Sequence, residues 1–321
     1  MKRATVQKSG FTIVELLTVM GVIAVLIGLL VPALNMVKDY SREIQQKAQF
    51  HSIEVGLELF KNDFGVYPES NDNALDPQNP VDNNIYCGAN KLAEALVGWD
   101  LLGFHPKSGF TANGMNDLDG AAGSQGPVLI YDPVGGINLP PIYVETAQEN
   151  IDNRMKYIEL EHANAYKMED IYSNFGSFQN FNFTLCDVYA KKRKSGKKTG
   201  MPILYYRART NYKFQDYDSS VDDQPDTNND IYNFWDNANL LALGDADQGA
   251  TVLHPLYDGT TDLQDFEDIV LNKQVQDATI TVSNPNGIKR PYRDDSFILM
   301  SAGKDGLFGT SDDLYNFTKE Q

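Results

Sequence analysis

The chain has 321 residues, 42% of them hydrophobic and 11% aromatic, enough apolar material to bury the core of one large domain or two small ones. Acidic residues outnumber basic ones 44 to 27, for a formal net charge of −17, and this balance argues against a nucleic-acid partner because phosphate binding needs a basic surface. His51, His105, His162 and His254 stand in no metal-ligand or catalytic spacing, and no phosphate-binding glycine loop or hydrolase elbow occurs, so the residues point to no enzyme.

The chain begins with a basic stretch, Met1 to Gly10, carrying Lys2, Arg3 and Lys8 and no acid. An apolar run follows from Phe11 to Val31, about 31 Å as a helix and long enough for the hydrocarbon core of a bilayer. The positive-inside rule keeps the basic stretch in the cytoplasm and exports the bulk of the chain. The sequence VPALNMVKDYSREIQQ after the run has no small-x-small cleavage site and continues as helix, so the run is expected to remain as an anchor. Glu15 lies inside it, where a charge costs about 2.5–3.5 kcal/mol on insertion scales. Beyond Pro32, one apolar stripe comprises Leu34, Val37, Tyr40, Ile44 and Ala48, and a second comprises Ile53, Leu57, Phe60 and Phe64. Charged and amide residues, Lys38 and Gln46 among them, separate the two. Gly65 and Pro68 close the pattern, which predicts one helix from about Phe11 to Phe64.

This leader resembles the class III signal of type IV pilins and type II secretion pseudopilins. The matching residues are Gly10, Phe11, Thr12, Ile13, Val14, Glu15, Leu16 and Leu17, with Pro32 where those helices carry their proline. The resemblance implies cleavage between Gly10 and Phe11 by a membrane prepilin peptidase, then N-methylation of Phe11. It also answers why Glu15 is there: its carboxylate can pair with the Phe11 ammonium of a neighbouring subunit, so two isolated charges in lipid become one ion pair. Removing either partner of a buried pair costs roughly 3–5 kcal/mol.

The middle of the chain is acidic and loop-rich. Residues 91–104, KLAEALVGWDLLGF, predict an amphipathic helix with Leu92, Leu96 and Trp99 inward, and a helix is expected around 150–166. PVLIYDP at 127–133, LLALGD at 240–245 and ATITVS at 278–283 read as short strands. The acidic stretches 116–120 and 216–230 read as solvated loops. KKRKSGKK at 191–198 packs six basic residues into eight and reads as a solvated hairpin leading into the strand within 199–210. Cys87 and Cys186 are equally compatible with a disulfide and with two buried thiols.

The C-terminal stretch SFILMSAGKDGLFGTSDDLYNF, 296–317, opens with a buried-type strand at Ser296–Ser301. Gly303, Gly306 and Gly309 then punctuate a segment holding Asp305, Asp312 and Asp313. Three carboxylates within nine residues repel unless a cation or solvent screens them, and calcium takes six to eight oxygens in flexible geometry. The spacing is not that of an EF-hand. The segment resembles the C-terminal loop of the major pseudopilin of type II secretion. That resemblance implies calcium held by Asp305 and Asp313, with Asp312 as neighbour or alternative and the carbonyls of Leu299 and Ser301 as further ligands.

The expected fold is α+β: a long N-terminal helix, its first half transmembrane, packed on a small antiparallel sheet with large insertions at about 70–198 and 211–290. The expected organisation is a leader at 1–10, a transmembrane helix at 11–31, the exported half of the helix at 32–68 and one globular domain at 69–321. The resemblance implies a pseudopilin that polymerises with itself and other pseudopilins into a filament. It further implies processing by a prepilin peptidase and methyltransferase, docking on a secretion assembly platform, and single-pass residence in the inner membrane with the body in the periplasm. A type IV pilus subunit for adhesion or motility is the alternative.

Overall fold

The computed structural model describes residues 12–71, 85–104, 154–179, 181–212, 215, 230–259, 262–275 and 290–319. The strands expected at 127–133 and 278–283, and the acidic stretches at 116–120 and 216–229, lie outside the described residues. The chain divides into two units, residues 1–45 and 46–321.

The first unit is the leading part of helix α1, Ile13–Phe64. This helix is long and apolar enough to cross a membrane, and none of its most apolar stretch is buried by protein. It continues through Pro32 without a break. The stripe formed by Leu34, Val37, Tyr40 and Ile44 is also exposed, and Ala48 with it.

In the second unit α1 contributes a buried face that begins at Gln46 and runs through Gln49, Phe50, Ile53, Leu57 and Phe60. The amides at 46 and 49, which the sequence places in the polar gap between stripes, therefore point inward. Gln46 Oε1 accepts the Val188 N–H at 2.9 Å, and Gln49 Nε2 donates to the Cys186 carbonyl at 2.9 Å. Backbone groups of the 186–188 segment that no strand partners are satisfied by the helix, as buried polar groups must be.

Helix α2, Gly88–Val97, crosses α1 at Gly56, where a Cβ would lie 3.0 Å from both Leu96 Cδ2 and the Tyr157 carbonyl oxygen. It starts earlier and ends earlier than the sequence pattern implies. Gly98 stops it in a positive-φ conformation (79°), its N–H donating to the Glu94 carbonyl at 2.8 Å. The helix is buried on every side rather than on one face, Asn90, Lys91 and Glu94 included. Trp99 falls beyond its end, half-buried.

Strands β1, Ala165–Lys167, and β2, Phe183–Leu185, pair antiparallel, as do the two strands of a hairpin, β3 Lys191–Lys192 and β4 Lys198–Thr199. The hairpin expected from KKRKSGKK is thus present, with its lysines exposed. The main sheet has the order β5 Leu204–Arg207, β6 Phe297–Ser301, β7 Leu314–Tyr315, antiparallel throughout.

Residues along β5 and β6 alternate between two cores, the period-2 signature of a sheet buried on both faces. Tyr205, Phe297 and Leu299 face the core shared with α1 and α2. Leu204, Tyr206, Ile298 and Met300 face a second core. The second core is filled by residues of the segments around the sheet strands. They include Met168 from the short helix α3, Met168–Ile171, Leu240 and Leu241 from α4, Ala238–Leu241, and Phe266 and Val270 from α5, Asp262–Val270. A further helical turn, Leu160–Ala163, precedes β1.

Two local expectations fail for identifiable reasons. LLALGD at 240–245 is helix and turn, not strand: a short apolar run carries no periodicity to distinguish the two. Asn237 holds its start, accepting from Ala89 N–H at 2.9 Å and donating to the Tyr205 carbonyl at 2.8 Å, while Gly244 (φ 67°) turns the chain away. Of the helix expected over 150–166 only Leu160–Ala163 forms among the described residues, because Asn164 takes a left-handed conformation (φ 50°) that starts β1. Cys87 and Cys186 are free thiols, both fully buried.

Candidate functional site

At the start of α1 the sequence Thr12-Ile13-Val14-Glu15 forms a reciprocal cap. Thr12 Oγ1 accepts the Glu15 N–H at 3.3 Å, while Glu15 Oε2 accepts from the Thr12 N–H at 2.8 Å and the Thr12 hydroxyl at 2.7 Å. This is the capping-box pattern, visible in the sequence as T-x-x-E before an apolar run. Glu15 thus has a local role: it satisfies a backbone donor that the helix start leaves unpaired. Both of these bonds fall on Oε2, and Oε1 has no hydrogen bond among the described residues. Gly10 and Phe11 lie outside the described residues.

The second site is the turn between β6 and β7, which brings Asp305, Asp312 and Asp313 together. Gly303 (φ 61°) permits the turn, since a Cβ there would lie 2.2 Å from the Asp312 carbonyl oxygen. Asp312 staples the loop: Oδ2 accepts from Lys304 N–H at 2.6 Å and Asp305 N–H at 3.0 Å, and Oδ1 from the Thr310 hydroxyl at 2.6 Å. These donors hold its pKa below the usual carboxylate value against the opposing effect of burial. Asp305 Oδ1 accepts the Leu307 N–H at 2.8 Å, and burial together with the neighbouring Asp312 raises its pKa. Asp313 is buried. Its Oδ2 accepts from the Gly309 N–H at 2.7 Å and the Tyr315 hydroxyl at 3.3 Å, yet burial pushes its pKa up to about 7, aided by Asp312 and Asp305.

The donor chemistry is that of hard oxygens, which suits a calcium-type cation. The oxygen least committed to the loop is Asp313 Oδ1, with only a 3.5 Å contact from the Thr310 hydroxyl. The Leu299 carbonyl accepts the Asn316 N–H at 3.3 Å, leaving one lone pair. Ser301 is fully buried. Among the described residues no group of three or more His, Cys, Asp or Glu side chains stands in a metal-holding arrangement. The carboxylates are near one another but turned largely onto the loop's own N–H groups.

Two buried groups underpin this loop and escape sequence reasoning. Asp187 is fully buried and accepts from Tyr189 N–H (3.1 Å), Met201 N–H (3.2 Å) and the Ser301 hydroxyl (3.0 Å). The Ser301 oxygen in turn accepts the Gly303 N–H at 3.2 Å, so the aspartate is tied through one serine to the first turn of the loop. Burial drives its pKa up to about 7 despite these donors. The signal available in the sequence was an acid set between apolar neighbours, Leu185-Cys186 before it and Val188-Tyr189 after. His254, also fully buried, accepts the Phe308 N–H through Nδ1 at 3.2 Å and packs edge-on against the Phe308 ring. Burial lowers its pKa to about 4, so it is neutral and able to accept.

Comparison of the chain with family models, with curated proteins and with solved structures finds no match.

Proposed function

We propose that this chain is a pilin-like subunit, of the kind that forms the pseudopilus of a type II protein secretion system. The single observation that carries the reading is an acid three positions after the cap residue of a helix whose leading apolar stretch is unburied and long enough to cross a bilayer. Among the described residues Glu15 is held by Thr12. A neighbouring copy's processed Phe11 ammonium would supply the second partner, through the oxygen that the cap does not use. A charge satisfied twice in lipid is far less costly than a charge satisfied once, so the pairing favours assembly and sets register.

In this reading α1 anchors each copy in the inner membrane and the body from Gln46 onward lies in the periplasm. Support for the body comes from the α+β arrangement of one long helix on a small antiparallel sheet. Asp305 and Asp313 would hold a calcium-type cation, with Asp312 shaping the loop. The cation would supply positive charge to a turn in which three carboxylates lie near one another.

The test is mass spectrometry of the membrane-extracted protein together with assembly of Glu15→Ala and Glu15→Gln. The expected mature N-terminus is a methylated Phe11, and both variants are expected to insert in the membrane but fail to form filaments. A mature chain still beginning at Met1, or filaments from Glu15→Ala equal to wild type, overturns the proposal.

A further inference from the structure

We propose that the β3–β4 hairpin is an electrostatic docking surface for acidic side chains of a second copy of this chain. The inference rests on the reading that copies polymerise. Six of the chain's 27 basic residues fall in these eight positions, in a molecule of net charge −17. The hairpin register sets Lys192 directly opposite Lys198. Like charges placed opposite one another destabilise a ladder, and here the ladder is only two residues long.

The basic residues divide into two sets. One set fixes the hairpin to the body. Arg193 is turned inward, its Nε donating to Thr199 Oγ1 at 3.2 Å and its guanidinium 3.6 Å from Asp247. Lys194 N–H donates to Asp247 Oδ1 at 2.8 Å, its ammonium bonds the Asp247 carbonyl, and Lys191 Nζ donates to the Asp305 carbonyl at 2.7 Å. The other set is Lys192, Lys197 and Lys198, all exposed. No acid among the described residues pairs with any of these three side chains. The hairpin therefore presents three lysines that no acid among the described residues pairs with, and an anion docked on them relieves their mutual repulsion.

The identity of that anion follows from charge and concentration. Two copies of a chain this acidic repel wherever acid meets acid, so close packing requires a local patch of opposite sign. At physiological salt charges interact over about 8 Å, and the patch rather than the net charge governs a contact. Anchoring by α1 confines copies to one membrane and raises their effective concentration.

The experiment uses full-length chain in neutral phosphatidylcholine vesicles, with isotopically labelled and unlabelled copies mixed. A zero-length carbodiimide then joins contacting amines and carboxylates, and mass spectrometry identifies the links. Amide links are expected between Lys192, Lys197 or Lys198 of one copy and Asp or Glu of the other, and are expected to vanish in about 1 M salt. K192E/K197E/K198E is expected to weaken association roughly tenfold, whereas the triple Arg variant retains it. Equal association of wild type and the triple Glu variant, or links from other lysines only, removes the hairpin's role and leaves polymerisation standing. Binding of these lysines to phosphatidylglycerol vesicles or duplex DNA without inter-copy links also overturns it. Absence of any wild-type association overturns both this inference and the polymerisation reading.

Discussion

Asp187, Asp313 and His254 are buried titratable groups with opposite consequences for stability. For the two aspartates the folded pKa, about 7, lies above the ordinary value of 3.8. The folded chain binds their protons more tightly than the unfolded one, so their contribution is complete below about pH 4 and is lost as pH rises through 7. For His254 the folded pKa of about 4 lies below the ordinary 6.5, so its contribution is complete above 6.5 and is lost as pH falls through 4. The aspartates dominate the shared window, and the cation-free protein is expected to melt at lower temperature at pH 7.5 than at pH 5. Asp187→Asn keeps an oxygen for the Tyr189 and Met201 N–H groups and removes the ionisation. It is expected to flatten the pH dependence by a few kcal/mol, with about 4 kcal/mol as a ceiling for a three-unit shift. A variant whose melting temperature falls with pH as steeply as wild type would show that Asp187 is not the titrating group.

At the level of elements, close approach rather than propensity decides what is tolerated. The first residue of α2, Gly88, lies so near β5 that a Cβ would sit 2.3 Å from the Tyr205 carbonyl oxygen and 3.0 Å from Asn237 Nδ2. Gly88→Ala must therefore separate α2 from the sheet, and is expected to destabilise the body by about 3 kcal/mol in denaturant unfolding. Gly21 in the exposed part of α1 meets nothing within 4 Å. Gly21→Ala is expected to leave the body's unfolding free energy within about 0.5 kcal/mol of wild type. Equal effects at the two positions would contradict the packing described for α2.

For the molecule as a whole, the chain segments between and beyond the sheet strands are structural rather than decorative. They bury Leu204, Tyr206, Ile298 and Met300 on the sheet face that α1 does not cover. The C-terminal loop joins this second core through Phe308, which is fully buried, and through the close seat of Gly309 on Leu256. Calcium binding to the loop should therefore be read by the global melt. Saturating calcium, about a hundredfold above its dissociation constant, is worth about 2.7 kcal/mol to the folded state. Chelation is expected to lower the melting temperature by several degrees at pH 8 and by less at pH 5, because Asp313 must lose its proton to take a cation. Identical melts with calcium and with chelator at pH 8 would remove the cation from the proposal.

The long helix, its break at Gly65, the strand at 296–301 and the acidic turn after it were legible in local pattern alone. Each rests on a periodicity or a turn residue whose meaning does not depend on distant chain. The cap that Thr12 makes with Glu15 also carries a local signal, T-x-x-E at a helix start, although among the sequence expectations Glu15 has no such role. What the sequence could not disclose were Gln46 and Gln49 turned inward, α2 buried on every side, helix and turn in place of strand at 240–245, and Asp187 beneath the C-terminal loop. In each of these a polar or ambiguous segment takes its state from backbone groups contributed by residues scores of positions away, and no local periodicity encodes a partner that only folding brings near.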